Sequence, residues 1–60
     1  MARQAHIDKL EATVEILRDS ALALQAFIEK NDLPENGKEA KAVEAVYNGI
    51  GILEDHIFEL

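Results

Sequence analysis

Apolar side chains at Ile7, Leu10, Val14, Leu17, Ala21, Leu24 and Ile28 follow an unbroken alternation of three and four residues. An α-helix turns once in 3.6 residues, so this spacing lines all seven along one seam, as in a coiled coil. The same rule recurs at Val43, Val46, Ile50, Leu53, Ile57 and Leu60. The pattern predicts two helices, over about 4–30 and 37–58.

Between the two seams lies Asn31-Asp32-Leu33-Pro34-Glu35-Asn36-Gly37, which gathers the chain's one proline with residues that end helices and make turns. Asn36 and Glu39 have the spacing of a capping box, which would start the second helix at Asn36. Asp32 and Glu35 repeat that spacing and allow a short helical turn inside the loop. So short a connection makes the helices antiparallel neighbours. The expected fold is therefore all-α: a single antiparallel two-helix hairpin over residues 1–60. Matching the heptads pairs the seams in layers, Leu24 with Val43, Ala21 with Val46, Leu17 with Ile50, Val14 with Leu53, Leu10 with Ile57 and Ile7 with Leu60.

A hairpin needs one apolar stripe per helix, and this chain has more. On the first helix Ala12, Ile16, Ala23 and Phe27 form a second stripe, widened by Ala5, Leu22 and Ala26; on the second helix Ala42, Ala45, Gly49 and Ile52 do the same. A helix that is apolar around so much of its circumference packs against more than one neighbour. Sixty residues without a cysteine have neither the volume for a large core nor a disulfide to replace it. Two hairpins closing into a homodimeric four-helix bundle are the simplest remedy, with Ile16, Phe27, Ala45, Gly49 and Ile52 at the oligomer interface. A different protein covering the stripe is the other.

The formal net charge is −6. Residues 1–30 carry four basic and five acidic side chains, and residues 31–60 carry two and seven. Phosphate neutralisation needs the opposite balance, so direct nucleic-acid binding is not expected, whereas the balance permits a basic protein partner. Glu54, Asp55 and Glu59, gathered at the end of the second helix, are the candidate partner contacts. Antiparallel packing would also set them beside Arg3 and Lys9. No stretch approaches the roughly 18 apolar residues of a membrane span, and nothing near the start has the form of a signal peptide, so a cytoplasmic chain is expected.

Two features sit outside the heptads. Gly49 and Gly51 each cost a helix interior about 1 kcal/mol relative to alanine. They fit a close helix crossing in an oligomer, a kink after Asn48, or a pocket for a small ligand. His6 and His56 fall at the same end of the hairpin, offset in the layer register by about five residues, or ~7.5 Å of helix. They are expected to be surface groups at the bundle end rather than metal ligands, since their spacing matches no metal motif. Ser20, Thr13 and Tyr47 have no histidine at a catalytic spacing, and no carboxylate pair stands apart from the solvated charge. No catalytic residue, cofactor or metal is assigned, and the chain is not expected to be an enzyme.

These features point to a small acidic homo-oligomeric helical protein that binds and modulates another protein, as an adaptor, antirepressor or inhibitor of the kind bacteria and phages use. A ligand- or metal-binding helical bundle and a purely structural oligomerisation module are the alternatives.

Overall fold

The computed structural model describes residues 2–60, with side chains from residue 3, as two helices: α1, Ala2–Lys30, and α2, Lys38–Glu59. They pack against each other in a rod of 47 × 15 × 12 Å. Their ends lie within two residues of those the heptads predict.

Burial follows the seam. Val14, Ala21, Val43 and Ile50 are buried, and the other nine seam residues, from Ile7 to Leu60, are half-buried. Ala21 and Ile50 are the most enclosed, at 1% and 2% exposure. Among the described residues no large side chain is fully buried. One seam per helix can shield its own residues from one side only, so a two-helix core stays thin.

Two cross-helix pairs fix how the seams face. With the seam positions labelled a (Ile7, Val14, Ala21, Ile28; Val43, Ile50, Ile57) and d (Leu10, Leu17, Leu24; Val46, Leu53, Leu60), Arg18 and Glu54 are both e positions. Arg18 Nη2 donates to Glu54 Oε2 at 3.1 Å. His6 and His56 are both g positions, and their rings meet edge to face, with centroids 6.2 Å apart and planes at 83°. Pairing of e with e on one side and g with g on the other is what antiparallel helices require, because reversing one helix brings like flanks together. In the layer register Glu54 lies five positions beyond the level of Arg18, and His56 lies five positions short of the level of His6. The two offsets are equal and opposite, which centres the register where the heptads put it.

The turn departs from the sequence reading in two respects. α1 ends in a Schellman motif: Leu33 N–H donates to Ile28 O at 3.0 Å, and Asp32 N–H to Glu29 O at 3.3 Å. Asp32 occupies the left-handed position, φ 53°, where glycine is usual. Asn31 reinforces the end, its Nδ2 donating to Phe27 O at 2.8 Å. A tight turn then closes from Gly37 N–H to Pro34 O at 3.1 Å. The capping box expected at Asn36 and Glu39 does not form: the N-cap of α2 is Gly37, with no side-chain capping bond. Asn36 is held inside the turn, one residue too early to cap. A Cβ at Gly37 would lie 3.1 Å from Pro34 O and 3.2 Å from its Cγ, so the turn closes around a residue without one. No short helix forms between Asp32 and Glu35.

Candidate protein-interaction faces

The e and g pairs divide the outside of the hairpin into two flanks of different chemistry. On the flank marked by His6 and His56, the c and g positions of α1 include Ile16, Ser20, Ala23 and Phe27. Those of α2 include Ala42, Ala45, Gly49 and Ile52. The second stripes of the two helices therefore do not diverge. They join into one apolar face that spans both helices.

That face is open. Ile16 is 65% exposed, Ile52 69% and Phe27 54%, while Ala23, Ala42 and Ala45 are exposed and Gly49 is half-buried. Covering these three large side chains would contribute roughly 1–2 kcal/mol apiece, scaled from the value for full burial. The hairpin as a whole shows 4792 Å² to solvent. A compact monomer of its 6.7 kDa would show roughly 3,900 Å². The excess, roughly 900 Å², is close to the ~800 Å² that each partner gives to a standard protein interface.

Part of the sequence-level stripe lies elsewhere. Ala12, which the heptad frame places on the back of α1, lines a groove on the opposite flank. Leu22 is also on that side, with Tyr47 and Phe58. Phe58, 92% exposed, is the most exposed large apolar side chain among the described residues, and sequence reasoning passed over it. Its position one turn beyond Glu54 and off the seam was the available signal.

The opposite flank is acidic. Asp8, Glu11, Glu15, Asp19 and Glu54 border an open groove of about 860 Å³, with Arg18 among them and Phe58 at its edge. The candidate contact residues at the end of α2 do not share one face. Glu54 faces this groove and is tied to Arg18, Asp55 lies at the back of α2, and Glu59 falls on the apolar flank, because successive residues of a helix are ~100° apart. The cross-helix ion pair seen among the described residues uses Arg18, not Arg3 or Lys9. Arg18 was legible as an e position but was not singled out.

The histidines come together more closely than their offset suggested, since side chains at g reach diagonally across the seam. No group of three or more histidine, cysteine or acidic side chains suited to a metal ion is gathered among the described residues. The glycines are also clarified. α2 runs unbroken through Asn48, and a Cβ at Gly49 or Gly51 would meet nothing within 4 Å. The helix is therefore not broken after Asn48, and no contact within the hairpin demands glycine at either position. Among the described residues no helix is long and apolar enough to cross a membrane.

Comparison with family models, with characterised proteins and with solved structures found no match to this chain.

Proposed function

We propose that the chain is a self-associating helical hairpin that acts through protein contacts, pairing by its apolar flank into a four-helix bundle and presenting its acidic flank to a basic region of another protein. The observation that carries this reading is the merging of both second stripes on one flank, with Ile16, Phe27 and Ile52 each more than half exposed. Burial of such a face against a twin supplies the second layer that a two-helix rod lacks. The carboxylates around Glu54 then remain outward, where they favour a cationic surface and repel an anionic one. On this reading the protein modulates its partner by occupying it, as an adaptor or inhibitor would, and has no chemistry of its own.

Sedimentation equilibrium tests the first half. The wild-type chain is expected at twice its monomer mass, and Ile16→Glu or Ile52→Glu at the monomer mass with helical circular dichroism retained. A wild-type monomer at 100 μM, roughly −5.5 kcal/mol on the affinity scale, would sink the self-association. For the second half, a basic partner captured by the wild type should be released by salt and lost with Glu15→Lys and Glu54→Lys. Capture unaffected by either change would place the contact away from the acidic flank.

A further inference from the structure

The apolar flank is not uniform along its length, and its pattern specifies how two copies meet. In the layer register Ile52 lies level with Ile16, toward the end where the chain starts and finishes. Phe27 lies toward the loop. Between them come the small side chains Ser20, Ala23, Ala42 and Ala45.

We propose, resting on the self-association above, that two copies pair head to tail, about a twofold axis perpendicular to the helices that passes near Ala23 and Ala45. This arrangement sets Phe27 of each copy against Ile16 and Ile52 of the other. Each end of the interface then holds one aromatic ring and two isoleucines, and the small residues meet in the middle, so the gap between hairpins has the same width throughout. A twofold axis along the helices would instead stack four isoleucines at one end and two rings at the other, leaving a wedge. Close packing at native density favours the even gap.

Charge points the same way. The open end, residues 3–15 and 52–60, carries two basic and six acidic side chains, a net −4; the loop end, residues 27–43, carries three and four, a net −1. Pairing like ends would face −4 with −4, whereas head-to-tail pairing faces −4 with −1 at both ends. On the apolar flank itself the rim follows suit. Lys30 and Lys38 border it at the loop end, and Lys9 and Glu59 at the open end, all four exposed. Like-end pairing would bring four lysines together at the loop end; the proposed arrangement brings each pair toward Lys9 and Glu59 of the other copy, whose charges balance.

Because the chain has no cysteine, Ala5→Cys places one spin label per copy at an exposed site on the back of α1. The axis level with Ala23 and Ala45 lies about 17 residues from position 5, so head-to-tail pairing puts the two labels roughly 50 Å apart at 1.5 Å per residue. Pulsed dipolar spectroscopy is expected to show that long distance. A distance below about 30 Å, the width of two hairpins side by side, would overturn the head-to-tail arrangement and leave the dimer standing. Absence of any intermolecular distance, with a monomer mass in sedimentation, would overturn both.

Discussion

Arg18 of α1 and Glu54 of α2 are joined at 3.1 Å across the hairpin, although five residues separate them from the same layer. They face each other because both lie at e positions, which antiparallel helices bring to one side. Each side chain is about half exposed, so solvent screens the attraction heavily. A double-mutant cycle with Arg18→Ala and Glu54→Ala, read by urea unfolding, should give a coupling of only ~0.2–1 kcal/mol. That coupling should shrink as salt rises from 0.05 to 0.5 M. A value above about 2 kcal/mol would mean that the pair is more enclosed than its exposure indicates.

The enclosed middle of the seam should respond far more strongly. Ile50 is 2% exposed and lies in the layer of Leu17. Ile50→Ala is expected to cost ~2–4 kcal/mol and Ile50→Val ~0.5–1.5 kcal/mol. Leu17→Ala and Ile50→Ala should prove non-additive by ~0.5 kcal/mol or more, since they share one layer. Additive losses would displace the register by at least a turn.

The end of α1 offers a stabilising change. Asp32 holds a left-handed conformation, φ 53°, that costs an L-residue with a side chain roughly 1 kcal/mol. Its N–H and that of Leu33 already complete the Schellman bonds, so the side chain is not needed for them. Asp32→Gly should raise stability by up to ~1 kcal/mol, discounted for the entropy glycine adds to the unfolded chain. Gly37→Ala should do the opposite, since its methyl would crowd Pro34 at 3.1–3.2 Å and alanine is a poor N-cap. Thermal unfolding of both variants beside the wild type decides the signs.

The parts of this structure that were legible in the sequence are those governed by period. The alternation from Ile7 to Ile28 and from Val43 to Leu60 foretold both helices and which of their residues turn inward, because helix geometry converts spacing directly into direction. The loop was less legible. Asn36 with Glu39 matches a capping box as a string, but Pro34 sets the phase of the turn and leaves Gly37 at the cap. The flanks lay between these cases. Both second stripes could be read from either helix alone, yet their union on one side follows only from which flanks antiparallel packing brings together. Glu54, Asp55 and Glu59 are neighbours in sequence and point three ways in space, which a list of charges does not reveal.

The two glycines of α2 separate the stability of the hairpin from its association. Gly51 lies on the acidic side and Gly49 on the apolar face, and a methyl added at either would meet nothing within 4 Å. Gly51→Ala should therefore stabilise the helix by ~0.5–1 kcal/mol through backbone entropy alone. It should leave the dimer dissociation constant unchanged. Gly49→Ala should give the same gain in a hairpin already held monomeric by Ile16→Glu. Gly49→Leu in the otherwise native chain adds a bulky group beside the small residues at the middle of the proposed interface, and overpacking there costs ~1–3 kcal/mol. That corresponds to weakening of the dimer by roughly 5- to 150-fold. Sedimentation of the three variants across a concentration series distinguishes the effects, and an unaltered dissociation constant for Gly49→Leu would remove Gly49 from the contact surface.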